Sequence, residues 1–419
     1  GKTVTAIEAI KRHIEKGNAA IVLVPSVLLL HQWRSEIHKD LPESVLLVCG
    51  DGNNDWKKAS RLSNLLRPNE NNVGAVIIAI LDTACSPEFL RKINNFNNLL
   101  LVVDEVHNVG AVKKRAIIDY DFKKRLGLSA TPERYGDIDG TEAIFNFFGD
   151  IVPPIITIKE AIEMRRLVNY LYHPIPSFLD NIEMDEYRSF TQKIIRARAS
   201  QNNSDGSSNN EMIKRLLIQR SRVIKKAACK VPLAINIIEK NYLPGEYWLI
   251  YCEDTEQLEQ LNDRLREIDI LPHIYTTRMI GSKEAELSDY TKRGGVMLAI
   301  GCLDEGVDIP KISHAVILAS SQNPRQFIQR RGRVLRIDGV KTKATIYDLF
   351  AFPSKNSQSL PETMMKAELR RAIEFADTAL NRLSAMDSIK EKFLDWGVRL
   401  EEYVDTGSEY DEMLESEVE

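Results

Sequence analysis

Short, uninterrupted apolar runs recur through the first third of the chain, at positions 19–24, 45–49, 73–80 and 99–103. Each is too short for a helix core, so the pattern predicts strands, those at 19–24 and 99–103 reading as parallel strands buried on both faces. The stretches between them carry helical spacing, as in Val4-Thr5-Ala6-Ile7-Glu8-Ala9-Ile10 and around Leu28-Leu29-Leu30-His31-Gln32-Trp33. A further strand is expected at Arg125-Leu126-Gly127-Leu128. Strands alternating with helices in this way predict a doubly wound sheet.

The pattern breaks over 141–154, which ends on Pro153-Pro154, and a helical region follows to about residue 230. Within it the polar tract 200–210 reads as a flexible loop. A second α/β region then begins, with strands expected at 247–252, 296–300 and 315–318 and an amphipathic helix over 255–268. After Leu349-Phe350-Ala351-Phe352-Pro353 comes a helical tail whose end is acidic. The expected division is therefore 1–152 for a first α/β domain and 153–230 for a helical, basic insertion. A second α/β domain takes 231–352 and the helical tail 353–419.

Length and composition fit this reading. At 419 residues the chain exceeds one ordinary core, and 43% hydrophobic with 28% charged residues describes a globular protein. No apolar run reaches the roughly 20 residues that cross a bilayer and the start lacks the sections of a signal peptide, so a cytoplasmic, nucleoid-associated or nuclear location without membrane contact is expected. The five cysteines are scattered with no C-x-x-C pair, which points away from a disulfide framework or zinc. A net charge of −4 means that any nucleic-acid surface is local. The candidate is the basic cluster flanking 200–210, with Arg215 and Arg222 among its members.

The chemistry concentrates in a few motifs. Leu99-Leu100-Leu101-Val102-Val103 ends in Asp104-Glu105-Val106-His107, placing two carboxylates and an imidazole at the carboxyl edge of a strand, where open α/β sheets bind ligands. There Asp104 suits a magnesium ion on a nucleotide, and Glu105 suits deprotonation of an attacking water. Gly1-Lys2-Thr3 matches the close of a phosphate loop, in which Lys2 reaches the β and γ phosphates and the Thr3 hydroxyl ligates magnesium. The strand and earlier glycine of that loop do not precede it here, so the first domain is expected to be truncated at its N-terminus. In Gln329-Arg330-Arg331-Gly332-Arg333-Val334-Leu335-Arg336, Arg333 and Arg336 fall on one face of a helix.

Taken in order, Gly1-Lys2-Thr3, Asp104-Glu105-Val106-His107, Ser129-Ala130-Thr131, Gly306-Val307-Asp308-Ile309-Pro310 and the Gln329–Arg336 block resemble the superfamily 2 helicases and translocases. The similarity is greatest to the DExH branch with XPB-like helicases and restriction-enzyme motor subunits, and it covers about residues 1–350. It implies an α/β fold with two tandem RecA-like parallel-sheet domains, a helical inter-domain insertion and a helical C-terminal tail. It also implies an ATP hydrolase that uses ATP and Mg2+ at the cleft between those domains. By the same resemblance Gly1, Lys2, Thr3, Asp104, Gly306 and Asp308 bind nucleotide, with Thr3 and Asp104 on the magnesium. Glu105, Gln329, Arg333 and Arg336 are catalytic, the arginines neutralising charge on the transferred phosphoryl group. His107, Ser129 and Thr131 couple phosphate state to domain motion. Ser26, Thr83 and Thr277 contact nucleic acid, DNA in preference to RNA, although Ile80 stands where a threonine is common. Partner subunits or a domain ahead of Gly1 fit the motor part of a repair, restriction or phage-defence protein. The alternative is a nucleotide-gated binding or scaffold subunit without transport.

Overall fold

The computed structural model describes residues 1–58, 60–68, 74–94, 96, 98–134, 137–199, 206–276, 282–300, 309, 311–319, 332, 334–339, 341–353 and 362–394. The chain divides into two compact units, the first spanning Gly1–Ile155 and the second beginning at Ile156.

The first unit is built on five parallel strands, β1 (Ala20–Val24), β2 (Val45–Cys49), β3 (Ala75–Ile80), β4 (Leu100–Asp104) and β5 (Lys124–Leu128). They lie in the order β2-β3-β1-β4-β5, so β1 and β4 are interior strands and all of their residues are buried. Alternate residues feed two cores. Ile21, Leu23, Leu101 and Val103 join Phe89 and Ile93 on one face, while Ala20, Val22 and Val102 join Ile7, Ile10, Trp33 and Ile37 on the other. Each such Val, Leu, Ile or Phe side chain contributes about 1.5–3 kcal/mol by leaving water, which is why the interior strands are continuously apolar. The helix Lys2–Ile14 buries Ala6, Ile7, Ile10, His13 and Ile14, the stripe expected of a helix lying on a sheet. Among the described residues no helix is long and apolar enough to cross a membrane.

The second unit carries six parallel strands: β6 (Asn169–Phe178), β7 (Tyr247–Cys252), β8 (His273–Tyr275), β9 (Gly295–Ile300), β10 (His314–Ile317) and β11 (Lys343–Phe352). Their order is β6-β11-β10-β7-β9-β8. Two expectations are corrected here. The stretch 153–230 is not wholly helical, because β6 pairs with β11 over its full length. Pro174 and Pro176 disguise it in the sequence, yet β6 is an edge strand with a partner on one side only, where proline is tolerated. Of the tract read as a loop over 200–210, residues 206–210 belong to the helix Gly206–Lys225, and 200–205 lie outside the described residues.

The tail is part of the second unit. Its helices Glu362–Asp377 and Arg382–Leu394 pack against the β6–β11 side of the sheet, and the Asn381 amide pairs with both the N–H and the carbonyl of Tyr172, each at 2.9 Å. This closes part of an edge that would otherwise offer unpaired backbone groups. Beneath the first helix lies a buried ionic cluster. Arg371 donates to Glu368 at 2.7 Å and to Asp348 at 3.2 Å; Tyr172 donates to Asp348 at 3.0 Å, and Glu368 accepts the Ala351 N–H at 2.7 Å. Nearby, the fully buried Lys230 donates to the Leu318 carbonyl at 2.7 Å just past β10. The acidic end of the tail lies outside the described residues.

Removing Arg371 would leave two buried carboxylates without their cation. Arg371→Ala is therefore expected to destabilise the protein by about 3–5 kcal/mol, read as a fall in the urea midpoint of the second unit. Burial depresses the Lys230 ammonium from 10.5 to about 8. Between those values the unfolded chain binds the additional proton, so this group adds stability as pH rises through the window. Relative to Lys230→Met, the unmutated protein is expected to gain stability from about pH 8 to about pH 10.5 in paired urea titrations.

Candidate active site

The carboxyl end of β4 brings together a set of functional groups. Asp104 is the last strand residue and is buried; its Oδ2 accepts the Trp33 indole N–H at 2.8 Å and its Oδ1 accepts the Glu105 N–H at 3.0 Å. The chain then turns abruptly, because Glu105 adopts a left-handed conformation with φ 48° and ψ 56°. A non-glycine residue enters that region at a cost of about 1–2 kcal/mol. The turn is held by Asn108, whose N–H and side-chain amide both donate to the Glu105 carbonyl, at 3.0 and 3.1 Å. It presents Glu105 toward Lys2, with Nζ 3.8 Å from Oε1, and toward His107, with Nδ1 3.5 Å from Oε2. The Lys2 side chain is 42% exposed, so this long pair adds little stability and the ammonium stands at the water boundary.

His107 is buried and joins the turn to the segment after β5. Its Nδ1 lies 3.4 Å from Ser129 Oγ, and its Nε2 lies 3.1 Å from the Asn108 amide nitrogen. Since that amide also serves the Glu105 carbonyl, it is oriented as a donor, and Nε2 is the accepting nitrogen. The neutral ring therefore carries its proton on Nδ1, directed at Ser129 and Glu105. Ser129 accepts the Thr131 N–H at 3.1 Å and donates to the Thr131 carbonyl at 2.8 Å, which shapes the Ser-Ala-Thr turn.

Two further residues enter this network that pattern reading passed over. Trp33 orients Asp104 from the neighbouring helix Val27–Asp40; in the sequence it is indistinguishable from a core aromatic. Arg134 donates through its Nη1 to the His107 carbonyl and through Nε to Asp137 at 2.6 Å. Its place just past Ser129-Ala130-Thr131-Pro132 was the available signal. Burial pushes the Asp137 carboxyl upward, but the Arg134 and Gly140 bonds and the charges of Arg134 and Arg115 outweigh it and hold it below its usual range.

Lys2, Asp104, Glu105, His107, Ser129 and Thr131 thus fall within one hydrogen-bonded and ionic neighbourhood, while Gly1 precedes the helix that carries Lys2 and Thr3. Asp104 keeps further oxygen lone pairs beside its two hydrogen bonds, and Thr3 offers a hydroxyl in the first turn of that helix. A carboxylate and a hydroxyl are hard oxygen donors of the kind that hold Mg2+ together with substrate phosphates, without a cage of three or more protein ligands. Among the described residues no such cage occurs.

Other expected residues behave differently. Ser26 caps the helix Val27–Asp40 by accepting the Leu29 N–H at 3.3 Å, and Thr83 lies in the short helix Leu81–Ala84. Arg215 and Arg222 are exposed on Gly206–Lys225. The basic cluster is partly neutralised: Arg222 and Lys225 face Glu253 at 3.6 and 3.2 Å, and Lys226 pairs with Asp254 and Glu256. Arg336 forms an isolated antiparallel bridge with Leu167 within the second unit. Gly306, Asp308, Thr277, Gln329 and Arg333 lie outside the described residues. A cavity of about 650 Å3 opens elsewhere in the first unit, lined by His31, Arg34, His38, Asp51 and Arg61; none of the motif residues reaches it.

Comparison with known proteins matches both units. The family described as the Type III restriction enzyme res subunit matches residues 1–134, and the helicase conserved C-terminal domain matches residues 229–338. A putative DNA 3'-5' helicase Rad25 of Haloarcula marismortui is 27% identical over 81% of this chain and 46% of its own length. The DNA 3'-5' translocase XPB2 of Sulfurisphaera tokodaii is 24% identical over 76% of this chain and 69% of its own. The chain thus spans about half of the first of these relatives and about two thirds of the second. Among solved structures, the ATP-dependent Type ISP restriction-modification enzyme LlaBIII bound to DNA shares the fold with a TM-score of 0.58 at 16% identity, covering 90% of this chain and 29% of that one. With its motifs in order and both units matched, the chain belongs to the superfamily 2 helicases and translocases, of the XPB-like and restriction-motor kind.

Proposed function

We propose that this chain is the motor of an ATP-dependent DNA helicase or translocase. The observation that carries the reading is the junction at the end of β4, where Lys2, Asp104, Glu105, His107 and Ser129 meet in one network. Each has a chemical task there. Lys2 places a positive charge for nucleotide phosphates. Asp104, held by Trp33, and Thr3 would hold Mg2+, which when bound neutralises phosphate charge. Glu105 takes the proton from a water attacking the γ phosphorus, as its place beside Lys2 and His107 permits. His107 and Ser129 link this base to the Ser-Ala-Thr turn, so that a displacement of the turn is felt at Glu105.

The assignments of Gly306, Asp308, Gln329, Arg333 and Arg336 to the nucleotide, and of Ser26, Thr83, Thr277, Arg215 and Arg222 to nucleic acid, rest on the family resemblance. DNA is favoured over RNA because the named relatives are DNA helicases or translocases and the related restriction enzyme is described bound to DNA. The Arg222–Glu253 pair at 3.6 Å supports assigning less of the proposed DNA contact to Arg222 than its charge alone implies.

Two measurements on the protein in its longest natural form test the proposal. Glu105→Gln is expected to lower DNA-stimulated ATP hydrolysis by about 10²–10⁴-fold while nucleotide binding persists. Retention of hydrolysis would remove Glu105 from the mechanism. In an ATP-driven triplex-displacement assay the unmutated protein is expected to displace the third strand and Arg336→Ala to fail. DNA binding and ATP hydrolysis without displacement would instead identify a nucleotide-gated scaffold.

A further inference from the structure

We propose that Arg134 is a positioning residue that fastens the DExH turn to the segment following the Ser-Ala-Thr motif, and so holds His107 and Glu105 in register for turnover. The inference rests on the ATPase reading above and adds to it a residue outside the recognised motifs.

The arrangement is specific. The Arg134 guanidinium uses Nη1 on the His107 carbonyl and Nε on Asp137 Oδ2, the latter at 2.6 Å. Asp137 in turn uses Oδ1 to accept the Gly140 N–H at 2.8 Å, which caps the helix Ile138–Phe148. The Arg134 backbone N–H is tied to Thr141 Oγ1 at 2.8 Å, so the arginine is fixed to the same helix from both ends. A second arginine repeats the device. Arg115 donates from Nε to the Gly110 carbonyl at 2.8 Å, and its Nη2 lies 3.9 Å from Asp137 Oδ1. Two carbonyls of the turn, at His107 and Gly110, are therefore gripped by two guanidiniums that share one carboxylate.

Space has been kept for this clamp. A Cβ at Gly110 would overlap the Arg134 side chain and the Gly140 carbonyl, and one at Gly140 would come within 2.7 Å of Arg134 Nε. Both glycines let the arginine stem and the helix approach the turn closely. Capping the helix needs only the Asp137–Gly140 bond. The donor spent on His107 is surplus to that task, and its acceptor belongs to the residue whose ring faces Glu105 and Ser129. A lysine would supply charge but not two donors in a fixed plane, so it could not serve the carbonyl and the carboxylate with the same geometry.

The clamp acts on alignment and makes no contact assigned to nucleotide, so its loss should appear in kcat and not in KM. In the longest natural form, Arg134→Gln and Arg134→Lys are expected to lower the kcat of DNA-stimulated ATP hydrolysis by about tenfold to a hundredfold, with the KM for ATP within about twofold. Arg134→Lys is expected to melt close to the unmutated protein, which separates misalignment from unfolding. A kcat within about twofold of the unmutated value in both variants, or rate losses that only track the unfolded fraction, would overturn the clamp. Amide hydrogen exchange supplies a readout independent of hydrolysis. Exchange over 106–110 should accelerate in Arg134→Gln, and unchanged exchange would overturn the inference. Failure of the unmutated protein to hydrolyse ATP would overturn the motor reading and leave the exchange experiment to decide the clamp.

Discussion

The reversal of the backbone at Glu105 is the constraint on which the first unit's chemistry depends. β4 is an interior strand whose continuation would run its next residues onward in the plane of the sheet. A left-handed residue there breaks the alternation, so that Asp104 points back into the unit at Trp33 while Glu105 turns toward Lys2 and His107. The strain is of the order of 1–2 kcal/mol, comparable to the hydrogen bonds that Asn108 returns to the Glu105 carbonyl. A side chain placed by a strained but well-bonded turn is more rigid than one on a relaxed loop. Rigid placement is what the general-base role proposed for Glu105 requires.

Stability in the two units has different sources. The first relies on apolar strands that feed cores on both faces of the sheet. The second buries Asp348, Glu368, Arg371 and Lys230 where its last strands meet the tail helix. Such a cluster adds little net stability over a well-packed apolar alternative, because desolvation offsets most of the attraction. It does penalise any docking of the tail in which one member loses its partner. The Asn381 amide adds a directional bond to the same junction by pairing with the exposed edge of β6.

Much of this architecture was legible in the sequence because buried parallel strands leave a local signature. The runs at β1, β3, β4, β7 and β9 are apolar throughout, and each lies where the pattern placed it, within a residue or two. β6 was not legible. Its pairing spares the exposed edge, so Pro174 and Pro176 carry no penalty there, and what identifies it as a strand is β11, whose paired residues lie more than 170 positions onward. The helix over 206–210 escaped for a related reason, since a polar composition forms helix when the residues after it continue the helix against a neighbour.

The sequence by itself marked the residues of the candidate site. Asp104-Glu105-Val106-His107 and Ser129-Ala130-Thr131 stand out as candidates because residue type and strand position restrict what such groups can do. Tertiary structure decided which side chains hold those groups in place. Trp33 and Arg134 lie 71 and 27 positions from the residues they bond; nothing local separates Trp33 from an ordinary core aromatic, and the one local mark of Arg134 is its place just past the Ser-Ala-Thr motif. It also decided which charges remain at the surface. Lys230, Lys225 and Lys226 read alike in a basic run, yet one is buried against a carbonyl and the others face carboxylates across a turn of structure. The physical reason is that charge and hydrogen bonding are settled by distances of a few ångströms between segments remote in the chain, whereas burial of a strand is written in its own residues.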